Sequence, residues 1–364
     1  MFILKYIKIV IFNIFYGKIK KIITTKNNLN IKIKKIVFKE KFSYNIFEIK
    51  NARLYNASVH DCAIILNNNL IDEVSLQFRY NTKKNIINGL SSENIVLKTG
   101  TPKIKKNISA TVFSTLTGGA GKHNYFHWLF DVLPRIAILE KSIDINEPDF
   151  YLLPSLKHPY QKQTLEKLNI PFSKLLNGEK SKHFSCDKLI TTDHPYVFNN
   201  DPSQSILSIP HWIVEWLKKK FESNNLKSIN FSDKIYIDRN DSINKEKRFI
   251  INNSELREHL KKLGFQILVL SDLSFANQVE IFRNCKIVIG LHGAGFANVI
   301  FSKPGTKVIE LQSKTAGNIV CNLCVQCNLN YKKISVNSQN SNLMGQQGSI
   351  HINLNELDKI IFDN

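Results

Sequence analysis

The stretch "KIVIGLHGAGFANVIFSKPGTKVIEL", residues 286–311, sets a glycine-rich interruption between two apolar runs. The runs "KIVIGL" and "TKVIEL" are short and rich in β-branched residues, so each predicts a buried strand. Between them, Gly293 and Gly295 lack side chains, which allows another group to approach the backbone closely. The stretch predicts a parallel α/β sheet with a tight turn at the carboxyl end of one strand.

This turn is suited to binding an anion. Ligands of open parallel sheets lie beyond the carboxyl ends of the strands, and the first N–H groups of a following helix favour negative charge. The turn lacks the Lys-Ser/Thr pair of a P-loop and the long helix of a dinucleotide fingerprint. Glycines that serve only packing are the alternative. We predict that a phosphate or pyrophosphate lies against Gly293 and Gly295, and that His292 either donates to it or shapes the loop.

Strands and helices alternate on both sides of this turn. "DKIYIDR", "NNSELREHLKKLG", "FQILVL" and "SFANQVEIFRNC" read as strand, helix, strand and helix. We therefore predict an α/β domain with a parallel sheet over residues 216–335, with a tail or helix in residues 336–364. Residues 1–215 read as a second α/β domain, whose first part contains short strands separated by polar turns, as in hairpins.

The charge and cysteine content restrict the functional class. The 364 residues carry 50 Lys and Arg against 30 Asp and Glu, a net charge of +20. Much of this excess belongs to a general bias toward Lys, Asn and Ile, so we expect no specific nucleic-acid partner. Six cysteines do not form a disulfide framework. In "CNLCVQC", Cys321, Cys324 and Cys327 have a spacing open to metal binding, but one buried helix face is the favoured interpretation.

The N-terminal stretch "MFILKYIKIVIFNIFYGKIKK" is apolar but contains Lys5 and Lys8. Its apolar run is shorter than the roughly 20 residues that a spanning helix needs. It fits either a helix lying on a membrane surface or a first core element. We expect a cytoplasmic protein, with peripheral contact of the basic N-terminus with the inner face of the membrane as one alternative.

A second group of polar residues occurs in "KHNYFHWLFDVLPR". His123, His127, Asp131 and Arg135 are spaced four residues apart, which places them on one stripe of a helix. His127 or Asp131 could act as a general base, or the HxxxH spacing could bind a metal with Asp131 as third ligand. A buried polar network is the third alternative. The spacing alone leaves all three open.

A third group follows the predicted strand "DKIYID". Arg239 ends that strand, and Arg248 and Asn252 come shortly after it. An arginine at the carboxyl end of a strand can bind phosphate oxygens in a bidentate manner. Glu310 ends a neighbouring strand and could accept hydrogen bonds from ribose hydroxyls. Solvated surface charges are the alternative for these residues.

Taken in order, these groups resemble glycosyltransferase family 61, the DUF563-type proteins, which include proteins of capsular and cell-surface polysaccharide biosynthesis. The matching stretches are "NYFHWLFDVLPR", "IDRN", "RFIINNSE", "ANQVEIFRNC", "GLHGAGFANVIFSKPG" and "VIEL", between about residues 110 and 315. Members often have two adjacent arginines after the "DKIYI"-like strand. Here the second position is Asn240, which puts one phosphate contact in question.

The resemblance implies a GT-B-like α/β architecture, with two Rossmann-like domains facing across a cleft and extra N-terminal β-hairpins. It implies inverting, metal-independent transfer from a nucleotide-sugar, most simply a UDP-sugar, to a glycan or glycolipid acceptor, with no resident cofactor. His127 or Asp131 would be the base. A non-catalytic relative that binds anionic polymer or membrane is the alternative. The donor would be bound by Arg239, Arg248, Asn252, His292, Gly293, Ala294, Gly295, Asn298 and Glu310, while Asn124, Trp128 and Arg135 would be acceptor-side or structural.

Overall fold

The computed structural model describes residues 2–26, 28–39, 41–58, 61–81, 86–117, 121, 123–199, 201–222, 231–239, 248–339 and 348–363. The chain forms two compact units, Met1–Leu217 and Lys218–Asn364. Among the described residues, no helix is both long and apolar enough to cross a membrane.

The first unit contains strands β1 to β11 and helices α1 to α7. The strands are β1 (Ile22–Ile23), β2 (Ile31–Phe38), β3 (Phe42–Asn56), β4 (Cys62–Leu66), β5 (Asn69–Ile71), β6 (Gln77–Asn81), β7 (Ile86–Leu90), β8 (Lys106–Ser114), β9 (Phe150–Leu153), β10 (Leu175–Asn177) and β11 (His183–Thr192). The helices are α1 (Phe2–Tyr16), α2 (Val96–Thr99), α3 (Tyr125–His127), α4 (Leu133–Glu140), α5 (Pro159–Lys167), α6 (Pro202–Ser205) and α7 (His211–Phe221), and the boundary between the units falls within α7.

The sheet of the first unit joins a parallel half to an antiparallel half. Its described strands run in the order β1-β5-β4-β3-β11-β8-β9-β10, and β2 also pairs with β3. Strands β11, β8, β9 and β10 are mutually parallel, whereas β3 runs antiparallel to β11, β2 and β4. The predicted mixed α/β class, with N-terminal hairpins, is confirmed for this unit.

The second unit is a parallel sheet with helices between its strands. The strands are β12 (Lys234–Asp238), β13 (Gln266–Val269), β14 (Ile287–Leu291), β15 (Lys307–Ser313) and β16 (Asn330–Val336). The helices are α8 (Asn253–Lys262), α9 (Phe275–Asn284), α10 (Ile319–Gln326) and α11 (Leu354–Phe362), with a 3₁₀ helix at Ala294–Phe301. The sequence did not predict β16, because its two lysines and polar ends suit an edge strand rather than an apolar run.

The strand order of this sheet determines where a ligand can bind. The order is β13-β12-β14-β15-β16, and all neighbours are parallel. The chain therefore leaves β12 toward one side for β13 and crosses back for β14. Ligands of such sheets bind at this switch point, beyond the carboxyl ends of the two central strands. Arg239 follows β12 there, and His292 follows β14.

The C-terminal helix α11 is part of the second unit's core. Leu357 and Ile361 are buried together with Tyr236, Leu256 and other core residues. The segment predicted as a tail or helix thus forms a helix that packs on the second unit, because its apolar residues at helical spacing face the core of that unit. A parallel bridge between Ile250 and Ile350 joins the same segment to the start of α8.

The cysteines of "CNLCVQC" lie on and just after α10. Cys324 and Cys327 are buried and Cys321 is partly exposed. Burial raises the pKa of the Cys324 and Cys327 thiols, which disfavours the thiolate that a metal would bind. Within the described ranges, no group of three or more His, Cys, Asp or Glu side chains is placed to hold a metal ion.

Candidate active site

A continuous helix over residues 125–140 carries the first polar group. It begins with α3, widens into a π-helical segment at Trp128–Val132, and continues as α4. Pro134 has no N–H with which to continue an α-helical hydrogen-bond ladder, and the wider turn just before it accommodates this gap. Single π turns are frequent at functional sites. This one contains Asp131.

His127 and Asp131 form a hydrogen-bonded pair one turn apart. His127 Nδ1 lies 2.7 Å from Asp131 Oδ2, and the Tyr196 hydroxyl donates to Asp131 Oδ1 at 2.6 Å. The Asp131 side chain is only 6% exposed, whereas that of His127 is 34% exposed. Both carboxylate oxygens therefore bind protein groups, and the imidazole is the part of the pair that a substrate can reach.

The pKa values of the two residues shift in opposite directions. Burial raises the pKa of Asp131, but the charge and hydrogen bond of His127, together with the hydrogen bond of Tyr196, outweigh it, so the net shift is downward. Burial lowers the pKa of His127, but the charge and hydrogen bond of Asp131 outweigh it, so the net shift is upward. Asp131 is thus a carboxylate, Nδ1 of His127 carries a proton, and Nε2 is the atom that gains or loses one.

Arg135 fixes the pair to the end of β11. Its side chain is fully buried, its Nε donates to Asp131 O at 2.9 Å, and its Nη1 lies 3.4 Å from the carbonyl oxygens of Thr192 and Asp193. Nη2 donates to Thr117 O. Burial lowers the pKa of Arg135 to about 10, against the attraction of Asp131 and Asp193. The guanidinium therefore stays charged and holds helix to sheet.

Asn124 and Trp128 also support the helix. The Asn124 side-chain oxygen accepts from the N–H groups of Phe126 at 2.9 Å and His127 at 3.4 Å, which caps the helix start. Trp128 is fully buried and donates to Thr164 Oγ1 at 2.9 Å. A Cβ on Gly121 would lie 2.3 Å from His127 Cβ, so the backbone at that glycine packs directly against the histidine.

His123 does not join the His127–Asp131 pair. Its Nε2 lies 3.5 Å from Glu179 Oε1, and its ring contacts that of His158 edge-on. The predicted stripe of His123, His127, Asp131 and Arg135 therefore separates into a pair with a partly exposed histidine and a buried carboxylate, a buried arginine, and a distinct His123–Glu179 contact. The metal-binding alternative of the HxxxH spacing has no third ligand at hand among the described residues.

Sequence reasoning missed two residues of this site, His194 and Tyr196. Both lie in "DHPYVF", just after β11, where the run of polar residues at a parallel strand's carboxyl end was the available signal. His194 Nδ1 accepts from the N–H groups of Tyr196 and Val197, each at 3.3 Å. Burial and the charge of Arg135 lower the pKa of His194 to about 3, so this imidazole is neutral.

In the second unit, Arg239 and Gly293 come together at the switch point. Arg239 Nη1 donates to His292 O at 2.7 Å. A Cβ on Gly293 would lie 1.8 Å from the same nitrogen. The backbone of Gly293 is extended, with φ 168°, a conformation that any residue can adopt. The missing side chain therefore makes room for the guanidinium.

Arg248 adds a second cation to this region. Burial, together with the repulsion of Arg239, lowers the pKa of Arg248 to about 10, while the attraction of Glu310 acts in the opposite direction. Arg248 thus remains protonated at neutral pH and is close enough to Arg239 and Glu310 to feel their charges. Asn240, which replaces the second arginine of the resemblance, lies outside the described residues.

Glu310 lies beneath the turn and holds His292. His292 Nδ1 is hydrogen-bonded to Glu310 Oε1, and the Tyr331 hydroxyl donates to Oε2. Glu310 is fully buried and His292 is 3% exposed. The expected ribose contact of Glu310 is therefore not available in this conformation, because its carboxylate faces the protein. Tyr331 was missed because β16 was missed.

Asn298 also binds protein groups. It is fully buried, and its amide donates to Gln278 Oε1 at 3.0 Å, which ties the 3₁₀ helix to α9. Gly293, Ala294 and Gly295 are partly exposed and form the accessible surface of the turn.

Asn252 clamps the C-terminal segment. Its Nδ2 donates to Ile352 O at 2.9 Å, and its Oδ1 accepts from Ile352 N at 3.0 Å. Asn252 was predicted to contact the nucleotide-sugar. The structure instead gives both ends of its amide a backbone partner, as a strand neighbour would.

Comparison with known proteins bears on this arrangement. The family model described as Glycosyltransferase 61 matches residues 125–309, which is half of the 364 residues. The match begins at the helix of His127 and ends in β15, one residue before Glu310, so it includes His127, Asp131, Arg239 and Arg248. A search of curated proteins found no match. The chain belongs to glycosyltransferase family 61 and is a glycosyltransferase, an enzyme with a sugar donor and a glycan acceptor.

Proposed function

We propose that this enzyme transfers a sugar from a UDP-sugar to a glycan or glycolipid acceptor, with inversion at the anomeric carbon. The observation that carries the proposal is the placement of Arg239 against Gly293 at the switch point, with the charge of Arg248 nearby. Two guanidinium groups beside a glycine turn form a site for a diphosphate. We assign the diphosphate to these arginines and to the surface formed by Gly293, Ala294 and Gly295.

We assign the general base to His127 rather than to Asp131. The imidazole is partly exposed, and its Nδ1 is fixed by a buried carboxylate, which leaves Nε2 to face substrate. In the transfer, Nε2 takes the proton from the acceptor hydroxyl as its oxygen forms a bond to the anomeric carbon. The bond from that carbon to the diphosphate breaks, and its electron pair leaves with UDP. Asp131 is a positioning residue that stabilises the imidazolium.

The departing diphosphate needs positive charge, and Arg239 and Arg248 supply it in this proposal. Because guanidinium groups can do this, we propose a metal-independent reaction without a resident cofactor. His292 and Glu310 keep the turn in shape from beneath. We propose the GT-B class because we assign the donor site to the second unit and the base to the first. We further propose that the enzyme acts in the cytoplasm, in the synthesis of a surface polysaccharide or glycoconjugate.

Thermal-shift titration of the full chain tests the donor assignment. UDP should raise the melting temperature of the wild type equally with and without EDTA, and Arg239→Ala should abolish most of the shift. ADP and GDP serve as comparison ligands. A larger shift with either of them, or a shift that requires a divalent cation, would contradict the proposal.

Mass spectrometry of products from a panel of UDP-sugars tests the turnover. We expect a transferred or hydrolysed sugar with at least one of them. The alternative is a non-catalytic relative whose basic surface binds anionic polymer, an idea motivated by the net charge of +20. Binding of UDP without transfer or hydrolysis of any UDP-sugar would favour that alternative.

A further inference from the structure

Among the residues of helix α1 whose side chains the structure describes, one face contacts the rest of the first unit. Ile9, Phe12, Asn13 and Tyr16 follow helical spacing and are partly buried. Arg53 Nη1 donates to Tyr16 O at 2.6 Å, and Lys105 N donates to the Tyr16 hydroxyl at 3.0 Å. The helix is therefore fixed to the unit along this face.

The opposite face of α1 is apolar and exposed. Ile14 is 78% exposed and Phe15 is 75% exposed. Surface helices normally present polar residues to solvent, and a helix that is apolar all round indicates a nonpolar partner. The exposed apolar residues lie at neighbouring helical positions and form one continuous stripe: Tyr6, Ile7, Val10, Ile11, Ile14 and Phe15.

A cavity of about 330 Å³ lies directly beside this helix. Lys8 and Phe12 of α1 form part of its wall, and Ile104, which is 76% exposed, stands at another part. No acidic residue is among the described residues that line it. The lysines that line it are Lys8, Lys103, Lys106, Lys180 and Lys182.

We infer that the exposed face of α1 and this lysine cavity form one docking surface for an anionic lipid bilayer, with a lipid phosphate in the cavity. The exposed apolar side chains would enter the boundary between headgroups and acyl chains, which is how interfacial helices bind. The lysines would meet the negative surface potential of the membrane, and their long stems can keep the ammonium groups at headgroup level. This inference uses neither the base nor the donor site, so it stands apart from the proposed transfer reaction.

Vesicle flotation of the full chain tests the inference. We would compare vesicles of phosphatidylcholine alone with vesicles that contain an equal part of phosphatidylglycerol. The wild type should float only with the anionic vesicles and should be released by high salt. Ile14→Glu and the triple variant Lys103→Glu, Lys106→Glu, Lys180→Glu should each weaken the partition at least about tenfold.

Matched controls come from exposed residues of the second unit. Val325→Glu, at a 67% exposed position, and the triple variant Lys262→Glu, Lys303→Glu, Lys314→Glu should leave flotation unchanged. Equal losses in these controls would overturn the inference, as would equal binding to neutral vesicles. Light scattering would overturn it too if it showed a dimer that Ile14→Glu dissociates. Calorimetry would overturn the inference if the variant Lys103→Glu, Lys106→Glu, Lys180→Glu no longer bound inorganic pyrophosphate but still floated with anionic vesicles as the wild type does.

Discussion

At the scale of single residues, the two polar sites repeat one arrangement. In each unit, a histidine Nδ1 is hydrogen-bonded to a carboxylate whose other oxygen accepts from a tyrosine hydroxyl. The members are His127, Asp131 and Tyr196 in the first unit and His292, Glu310 and Tyr331 in the second. The two histidines differ in exposure, since the side chain is 34% exposed at His127 and 4% at His292. The same hydrogen bonds therefore suit a base in one unit and a rigid turn in the other.

The first prediction concerns the His127–Asp131 pair. His127→Gln should lower kcat by about 10²–10⁴-fold, the usual contribution of a general base. Asp131→Asn should lower kcat less and change its pH dependence. The carboxylate raises the pKa of His127, and the base works only when neutral, so activity rises with pH through that pKa. Removing the charge lowers the pKa, so the acid limb of kcat/KM should move to lower pH.

His123→Gln is the matched control for this prediction. It lies four residues before His127, ahead of the helix start, and contacts Glu179 rather than Asp131. Its pH profile should overlay that of the wild type. An acid limb that stays in place in Asp131→Asn would contradict the assignment of His127 as base, whatever the loss in kcat.

The second prediction concerns Gly293. In Gly293→Ala, the new methyl group would lie only 1.8 Å from the present position of Arg239 Nη1. The guanidinium would have to move and would lose its hydrogen bond to His292 O. A displaced guanidinium would lose its charged hydrogen bond to the diphosphate, which is worth about 1.5–3 kcal/mol, so the affinity for UDP should fall tenfold or more. Gly317→Ala is the control, since nothing lies within 4 Å of its Cβ position. Isothermal titration calorimetry measures both.

A double-mutant cycle identifies the cause of that loss. If the glycine serves only to admit the guanidinium, Gly293→Ala should cost little more in an Arg239→Ala background. Additive losses would mean that the diphosphate itself contacts the bare backbone of Gly293.

At the scale of elements, the sequence predicted the strands on which the donor site depends. β12, β14 and β15 each contain a short run of buried, mostly apolar residues, and the glycine turn after β14 lies where it was expected. Edge and polar elements escaped prediction because their signal is weak. β16 has two adjacent lysines and polar ends, and "DHPYVF" after β11 has no periodicity, so Tyr331, His194 and Tyr196 were missed. Which oxygen binds which proton depends on distances that spacing along the chain does not determine.

The amide side chains show the same limit. Asn252 and Asn298 stand where a ligand contact was expected from sequence order, yet each binds groups of the protein. An asparagine can pair with a backbone as readily as with a ribose. Only burial and geometry separate the two roles, and Asn298 is fully buried.

The third prediction tests this reading of Asn252. Asn252→Ala should lower the free energy of unfolding by about 1–3 kcal/mol, because it leaves the N–H and C=O of Ile352 without their partner. Asn318→Ala is the control, since Asn318 also precedes a helix but its side chain makes no capping bond. Urea unfolding measures both variants. Unchanged stability with weaker UDP binding would instead make Asn252 a donor ligand.

At the scale of the whole molecule, the two units carry different chemistry. The first holds an exposed histidine on a buried carboxylate, and the second holds two cations at the switch point of a parallel sheet. The family match covers both, which fits one reaction that needs a base and an anion site. The proposed assignment of the donor site to the second unit can be tested without knowing the acceptor.

UDP alone should protect only the second unit from amide hydrogen exchange. A ligand that binds the native state at about 100 times its Kd stabilises that state by about 2.7 kcal/mol, which slows exchange through opening of the unit it binds. Peptides containing Arg239, Arg248 and the turn at residues 291–296 should therefore be protected, and equally so with EDTA. Peptides of the helix at residues 125–140 should exchange as in the free enzyme. Arg239→Ala should remove the protection in the second unit. Protection of the 125–140 helix by UDP, retained in Arg239→Ala, would place the donor on the first unit and overturn the assignment.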